Sequence, residues 1–308
     1  MAGSPPAAMM RPVALPPWPR NERLEELVID GLRQIDTGEI LKAMATHVSQ
    51  DGEWAKRSIS PSLVASHCRL QRVHRFLGHR ARPDDLNRLM ALRAGRPDAV
   101  TQLNFLRGFS FEGVVVSLLR KMPEVVVVQS APSFVPTASF AGASLSAHPD
   151  VMFYWQIPGI VNVPVVPELI QIKSPSWWGI DRLRQHPEDL AEKYELQLQT
   201  ELLVCRMAGW TVAANNLLVG TWEGTPSSPR PDMVCYRVEY DPAVGNRIME
   251  RAQEILSDAE NFDARGELPP AIPLAYGKPA KFPCGYCRYS RLGFEEGVGV
   301  PGCELIRE

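Results

Sequence analysis

The stretch from His148 to Lys173 constrains the fold most, because it predicts two neighbouring strands with polar residues at their ends. Asp150 precedes the apolar run Val-Met-Phe-Tyr-Trp, and after a Pro/Gly turn a second run, Glu-Leu-Ile-Gln-Ile-Lys, ends at Lys173. Gln171 and Lys173 are two residues apart, so in a strand their side chains project from the same face. A lysine among apolar strand residues is costly to bury unless a charged partner or a substrate phosphate accompanies it. The stretch therefore predicts an antiparallel pair of strands whose acid, amide and amine are the groups needed to hold a divalent cation beside a phosphodiester.

Length, charge and hydropathy limit the class of protein. The 308 residues are enough for one large domain or two small ones. The formal net charge of −2 provides no overall basic field, so affinity for nucleic acid has to come from local patches or from a metal site. No apolar run approaches the ~20 residues of a membrane helix, and residues 1–20, rich in Pro and Ala, lack the apolar core of a secretory signal. We therefore expect a cytoplasmic protein without a membrane span and with a flexible N-terminal tail.

The segment from Asn104 to Lys121 has apolar residues at helical spacing and one acid among them. Glu112 shares a stripe with Val115 and Leu119, so its side chain points toward the core or toward a site. A buried carboxylate without a partner is expensive, so a metal ion or a lysine is expected beside it. An internal salt bridge is the alternative interpretation.

A second predicted helix, from Glu188 to Met207, carries polar side chains along one stripe. Tyr194, Gln197 and Glu201 follow one another at i, i+3 and i+7. Gln199 lies about 200° around the helix from Gln197. The two glutamines therefore cannot face the same site.

The order of the predicted elements defines a fold class. The periodicities predict one or two helices between residues 21 and 47, capping residues in Ser58-Ile-Ser-Pro-Ser-Leu, and a helix through Cys68 to Gly78. After the helix with Glu112 come a strand over 124–128, a Pro/Ser/Ala-rich loop to Ala147, the strand pair, the helix with Gln197, strands over 210–222 and 233–240, and a helix over 244–256. This order predicts an α/β protein in which helices flank a mixed central β-sheet.

Two further groups of residues have two interpretations each. Arg69, Arg72 and Arg75 crowd an early predicted helix and form either a solvated helix face or a patch that tracks phosphates. The adjacent indoles of Trp177 and Trp178 either stack on a base or cover the core.

The chain has six cysteines, and in a chain of this size they favour metal ligation over a disulfide framework. Cys284 and Cys287 form a Cys-x2-Cys motif, and Cys303 follows after fifteen intervening residues. Three thiolates need a fourth ligand for a closed site, and Cys68, in a basic helix, is the best candidate. The remaining two cysteines, Cys205 and Cys235, lie in apolar patterns, where a thiol behaves as a small hydrophobic group. Zinc and iron–sulfur both stay open as occupants of the four-cysteine set.

In this order the motifs resemble the PD-(D/E)XK nuclease superfamily, in its lambda-exonuclease/RecB-like branch. Asp150, Gln171-Ile172-Lys173 and Tyr194-x-x-Gln197 match the strand acid, the Glu-x-Lys strand motif and the helix motif of that branch. An early cysteine followed by a late Cys-x2-Cys and a last cysteine is similar to its iron–sulfur members, which include CRISPR-associated exonucleases and phage-encoded relatives. The resemblance covers roughly residues 58–305.

Two features depart from the family pattern. Gln171 stands where the family usually has Glu, and its amide oxygen can coordinate a hard cation but carries no charge, so metal affinity should fall. Glu168 does not replace it, because its odd offset places it on the opposite face of a regular strand. The spacing before Cys303 is longer than is common in the CRISPR-associated members.

The resemblance implies a metal-dependent DNA exonuclease with a restriction-endonuclease-like core. One or two Mg²⁺ or Mn²⁺ ions would be held by the side chains of Glu112, Asp150 and Gln171 and by the backbone carbonyl of Ile172. Lys173 would orient or help deprotonate the attacking water and stabilise the charged oxygen on phosphorus.

Other roles follow from the same resemblance. Gln197, with Tyr194, would position the water or the scissile strand. A structural [4Fe–4S] cluster would join four thiolates and pin the N-terminal helical region to the C-terminal tail: Cys68, Cys284, Cys287 and Cys303. The residues expected to contact DNA are Arg69, Arg72, Arg75, Trp177 and Trp178.

The chain is expected to divide into four regions and to act on DNA. The regions are a tail (1–20), a helical region with Cys68 (21–104), a nuclease core (105–262) and a cysteine-containing tail (263–308) that packs on the helical region. The expected substrate is single-stranded DNA or DNA ends, in recombination, repair or spacer processing within a bacterial or phage-infected cytoplasm, by a homo-oligomer or ring. Two other functions stay open: a catalytically weakened nuclease-fold protein that binds DNA or a partner, and a zinc-ribbon DNA-binding module.

Overall fold

The structure is a computed structural model, and it describes residues 18–34, 36, 38, 58–66, 68–77, 99–130, 134–156, 166–175, 180, 187–221, 232–267 and 269. Within these ranges the helices and strands, numbered in chain order, are α1 Glu22–Gln34, β1 Ser58–Ile59, α2 Pro61–Val64, α3 Arg69–Phe76, α4 Ala99–Leu119, β2 Val125–Ser130, β3 Thr137–Phe140, β4 Ala143–Ser146, β5 Val151–Trp155, β6 Glu168–Lys173, α5 Pro187–Met207, β7 Ala214–Thr221, β8 Asp232–Glu239 and α6 Pro242–Arg265.

Five of the described strands form a mixed sheet in the order β2-β5-β6-β7-β8. β6 and β7 run parallel, whereas the other neighbours run antiparallel. Three further described strands form a smaller sheet in the order β1-β4-β3. The prediction of an α/β protein with helices around a mixed sheet is confirmed, and the predicted antiparallel pair is β5 with β6.

The large sheet buries residues on both faces, and the alternation of side chains along β6 decides which helix each residue meets. Ile172 lies in a core cluster with residues of α1 and α4 on one face. Leu169 lies on the other face, in a cluster with Leu202 of α5. Gln171 and Lys173 share the face of Leu169, so both project on the side of α5.

The segment predicted as a loop up to Ala147 contains a β-hairpin, so the loop prediction was wrong. β3 and β4 pair antiparallel around Ala141 and Gly142, which have φ angles of 46° and 83°. Ala138 and Leu145 supply the buried apolar side chains of the pair. The two strands otherwise consist largely of alanine and hydroxyl residues, which lack the β-branched and aromatic pattern expected of a strand.

Within the stretch predicted to cap a helix, Ser60 is the N-cap residue of α2, although its side chain makes no capping hydrogen bond. Ser58 and Ile59 instead form β1, which pairs parallel with Ser144 and Leu145 of β4. The helix predicted through Cys68 to Gly78 is observed as α3, and the short helix α2 precedes it. The side chain of Ile59 is fully buried in a core cluster that includes residues of α5 and α6. Burial of this side chain explains the strand better than local capping preferences do.

Helix α6 is longer than the predicted 244–256 because both of its ends are capped. The side chain of Asp241 accepts a hydrogen bond from the amide of Ala243 (2.8 Å) at the N-terminal end. At the other end Gly266, with a φ of 70°, donates its amide to the carbonyl of Phe262 (2.8 Å). The capping residues therefore extend the helix past its apolar stripe.

The described helices also bear on the expected absence of a membrane span and on the expected division into four regions. None of the helices in these ranges is both long and apolar enough to cross a bilayer. Helix α4 continues across the predicted boundary between residues 104 and 105, and α1 packs in one core cluster with α4. The division of the chain into four regions stays a prediction.

We expect Gly220→Ala in β7 to destabilise the fold. A Cβ at this position would lie 2.2 Å from Cζ of Phe111 in α4, a side chain that is fully buried. The overpacking should lower the free energy of unfolding by ~1–3 kcal/mol in urea denaturation. Gly108→Ala is the matched control, because no atom of the described residues lies within 4 Å of its added Cβ. This control should gain ~0.5–1 kcal/mol from helix propensity. A Gly220→Ala protein as stable as the wild type would contradict the packing of α4 on β7.

Candidate functional site

The site forms where β5 begins beside the end of β6. Asp150 directly precedes β5, and its Oδ2 accepts hydrogen bonds from the amide of Ile172 (2.6 Å) and from Nε2 of Gln171 (2.7 Å). The antiparallel register, which pairs Val151 with Ile170, brings these residues together. Asp150 and Gln171 are 6% and 4% exposed, so the pair is removed from bulk water.

Charges from other elements act on Asp150. Burial raises the pKa of its carboxyl well above the ordinary value, and the charge of Glu112 on α4 raises this pKa further. The ammonium of Lys173 and the amide of Ile172 lower the same pKa. Glu112 on α4 and Lys173 at the end of β6 therefore lie close enough to Asp150 for their charges to act on its carboxyl.

Three buried polar atoms near this point have no hydrogen-bond partner among the described residues: Gln171 Oε1, Ser174 Oγ and Asn215 Oδ1. A buried acceptor without a partner costs ~1–3 kcal/mol. The amide oxygen of Gln171 belongs to the group that donates to Asp150, and it is a hard ligand of the kind that Mg²⁺ or Mn²⁺ prefers. These atoms therefore suit a bound polar ligand or cation.

The donor set fits a divalent cation only with a neutral amide in it. In the part of the chain that the structure describes, no three His, Cys, Asp or Glu side chains group closely enough to hold a metal ion. The set predicted from the sequence is a mixed one: the carboxylates of Asp150 and Glu112, the amide oxygen of Gln171 and the carbonyl of Ile172. Mg²⁺ keeps several of its waters and uses few protein carboxylates, so this set suits it.

Glu201 of α5 belongs to this site, although the sequence reasoning did not propose it as a site residue. Its side chain is 1% exposed, and its carboxylate accepts hydrogen bonds from Nδ2 of Asn215 (2.7 Å) and Nε2 of Gln197 (3.2 Å). Burial raises the pKa of Glu201 to about 7, against the opposing effects of Asn215, Lys173 and Gln197. Its charge also contributes to the raised pKa of Asp150. The helical stripe that Glu201 shares with Gln197 was the signal available in the sequence.

Two neighbouring residues of α5 make other contacts. Gln199 donates its Nε2 to the carbonyl of Glu239 (2.7 Å) and accepts at Oε1 from the amide of Asp241 (2.9 Å). It therefore ties α5 to the connection between β8 and α6, and the prediction that it faces away from the site is confirmed. Tyr194 is half-buried and packs against the cluster that contains Leu198.

Glu168 lies on the opposite face of β6, as predicted. Its carboxylate accepts hydrogen bonds from Nδ2 of Asn216 (2.7 Å) and from Nε of Arg237 (3.0 Å). Because these contacts hold the Glu168 carboxylate on the face opposite Gln171, Glu168 does not supply the charge that is missing at Gln171.

Arg69 and Arg72 are paired within the protein. Arg69 donates from Nε and Nη2 to the two oxygens of Asp258, at 2.6 Å each, and Arg72 donates from Nη2 to Glu254 (2.6 Å). Arg72 is 6% exposed, so the interpretation as a solvated helix face is wrong for this residue. The pairs join α3 to α6 and support a structural role over phosphate contact. The side chain of Arg75 lies outside the described part of the chain.

The cysteines divide into described and undescribed residues. Cys205 and Cys235 lie in the core, and burial raises the pKa of both thiols, that of Cys205 to about 12. Cys68 is buried directly before α3. The predicted site residues that lie outside the described ranges are Cys284, Cys287, Cys303, Trp177 and Trp178. The iron–sulfur cluster and the indole contacts therefore stay predictions.

Comparison with known proteins gives a likeness to solved structures. No protein-family model matches the chain, and neither does any of the curated proteins. The chain is similar to an alkaline exonuclease (LHK-Exo) from Laribacter hongkongensis, with 15% identity, coverage of 73% of this chain and 97% of that chain, and a TM-score of 0.39. LHK-Exo in complex with dAMP gives 16% identity, coverage of 68% and 92%, and a TM-score of 0.37. A likeness at this level does not decide the function of the chain.

We expect Glu201→Gln to change how stability depends on pH. The folded carboxyl has a pKa of about 7 against an ordinary 4.5, so its neutral form is favoured and stability is lost as the pH rises through this range. At ~1.4 kcal/mol for each pH unit, the loss is on the order of 3 kcal/mol. Glutamine cannot ionise, and the Gln197 amide can turn to keep its hydrogen bond.

In metal-free protein the Glu201→Gln variant should therefore lack this part of the decline and be the more stable form at about pH 8. Urea denaturation at about pH 5 and about pH 8 measures the difference between the two proteins. An equal decline in both would show that Glu201 is not the group that titrates.

Proposed function

We propose that the chain is a metal-dependent deoxyribonuclease that hydrolyses phosphodiester bonds in single-stranded DNA or at DNA ends. The observation that carries this proposal is the buried carboxylate of Asp150, which is held by Gln171 and Ile172 and is acted on by the charges of Glu112 and Lys173. Oxygen donors for a cation, placed beside an ammonium at the end of one strand, are the groups that metal-assisted phosphodiester hydrolysis requires.

Each residue would act at a particular atom. Oxygens of Asp150, Glu112, Gln171 and the Ile172 carbonyl would hold Mg²⁺ or Mn²⁺. When bound, such an ion lowers the pKa of a water and neutralises charge on the phosphate. The Lys173 ammonium would orient the attacking water and stabilise the charged oxygen that develops on phosphorus.

Gln197 would position the water or the scissile strand. Its Nε2 is held by Glu201, so its amide oxygen is the atom left to accept a hydrogen bond from a water. Tyr194 lies one turn earlier on the same helix and would line the approach of the DNA. The expected homo-oligomer or ring stays a prediction.

A weakened nuclease-fold protein that binds DNA or a partner is the second candidate, and one contact favours it. Nε2 of Gln171 donates to Oδ2 of Asp150 and so occupies an oxygen that a cation would otherwise use. A glutamate at position 171 could not make this contact while ionised, because both groups would be acceptors.

The proposal includes a structural [4Fe–4S] cluster that ties the C-terminal tail to the N-terminal helical region through Cys68, Cys284, Cys287 and Cys303. A brown protein with stoichiometric iron and sulfide would support the cluster. A colourless protein with stoichiometric zinc would favour the zinc-ribbon module.

Asp150→Asn and Lys173→Ala should each lower the rate of DNA hydrolysis by at least ~100-fold, because one weakens the cation site and the other removes the charge beside the phosphate. Release of nucleotides from labelled single-stranded and duplex DNA, with Mg²⁺ and with Mn²⁺, measures the rate. Lys121→Ala, at an exposed lysine just after α4, is the matched control and should keep the wild-type rate. Cleavage by neither metal, or full activity in Lys173→Ala, would overturn the proposed reaction.

Gln171→Glu should lower the concentration of Mg²⁺ needed for half-maximal activity by ~10-fold, because it adds a charged ligand and removes the amide donor from Asp150. A titration of activity against Mg²⁺ concentration checks this. Activity that appears only in the Gln171→Glu variant would establish the second candidate. An unchanged metal requirement would contradict the assignment of Gln171 as a ligand.

A further inference from the structure

We propose that Glu201 is a positioning residue of this site and that its carboxylate supplies the negative charge that the amide of Gln171 lacks. The inference rests on the proposed metal site, and it adds to that site an acid from α5, outside the strand motif. It also gives a reason why a chain with a neutral residue at position 171 would still bind a divalent cation.

The geometry holds Glu201 over the face of the sheet that carries Gln171. Asn215 of β7 pairs with Leu169 of β6 in parallel register, two residues before Gln171. Asn215 and Gln171 therefore share one face, the side on which α5 packs. The hydrogen bond from Nδ2 of Asn215 to Glu201 (2.7 Å) fixes the carboxylate above this face, where the side chain is 1% exposed.

The charges around Gln171 match those of one divalent cation. The charges of Glu112, Glu201 and Lys173 all act on the carboxyl of Asp150, and the charge of Lys173 also acts on Glu201. When all four are ionised, they leave a net charge of minus two. Buried charge of one sign is expensive without compensation, and a divalent cation would compensate a net charge of minus two.

The unpartnered amide oxygen of Gln171 points independently to a ligand at the same place. It is buried without a hydrogen-bond partner among the described residues, while the Nε2 of the same amide is bonded to Asp150. The strand therefore offers the cation an oxygen atom but no charge. The acid on α5 offers the charge, and it also holds Nε2 of Gln197 (3.2 Å).

Binding of Mn²⁺ to metal-free protein tests the inference without any measurement of activity. The free Mn²⁺ that remains in solution is followed by its electron paramagnetic resonance signal, and Asp150→Asn identifies the fraction bound at this site. Glu201→Gln should weaken Mn²⁺ binding by ~10-fold or more, the effect typical of groups that support metal ligands. Glu195→Gln is the matched control on the same helix, because Glu195 pairs with Arg247 (2.8 Å), and it should bind as the wild type does.

A double variant that removes the negative charge at position 201 and adds one at position 171 tests whether the site needs this charge on either element or specifically on α5. The double variant Gln171→Glu/Glu201→Gln keeps the net charge of the site and should restore Mn²⁺ affinity to within ~3-fold of the wild type, since direct ligands and their supporting groups act on the same metal. Thermal unfolding of each variant shows that it is folded before binding is measured.

The inference is overturned if Glu201→Gln binds Mn²⁺ as tightly as the wild type, if the wild type binds none at the Asp150 site, or if the double variant stays as weak as Glu201→Gln. These outcomes are separate from the fate of the proposed reaction. Mn²⁺ binding that depends on Glu201 in a protein that cleaves no DNA would overturn the reaction and support the role of Glu201. Cleavage of DNA together with unchanged Mn²⁺ affinity in Glu201→Gln would support the reaction and overturn the role of Glu201.

Discussion

The two hydrogen bonds that Asp150 accepts from Ile172 and Gln171 are the interaction on which the rest of the site depends. They join the start of β5 to the end of β6, at a point where the sheet buries a carboxylate. Burying that group costs free energy unless donors surround it, and here one backbone amide and one side-chain amide provide them. The position of this carboxylate, in turn, decides which charges from the flanking helices act on it.

The flanking helices contribute acids from both sides of the sheet. Glu112 comes from α4, which packs on the face of Ile172, and Glu201 comes from α5, which packs on the face of Gln171. Both act on the same buried carboxyl, with Lys173 as the opposing charge. Without a cation the negative charges of these acids repel one another, and a bound cation would relieve that repulsion.

Sequence periodicity predicted the strand pair and the two principal helices because their apolar residues repeat with the periods of those structures. It predicted the opposite faces of Glu168 and Gln171 for the same reason. It failed for the hairpin around Ala141, whose small residues carry no such period, and for Ser58 and Ile59, which form a strand only because β4 lies beside them. Local preference was too weak in these segments to decide the structure.

The sequence by itself determined the residues that one strand or one helix face presents together, such as Gln171 with Lys173 and Gln197 with Glu201, since these follow from local spacing. Only the tertiary structure decided that the two pairs lie near enough for the charge of Lys173 to act on Glu201, and that Arg69 is tied to Asp258, 189 residues away. The physical reason is that such contacts depend on strand register and on where each helix packs. Burial of the whole core sets both, and no short segment of the chain contains that information.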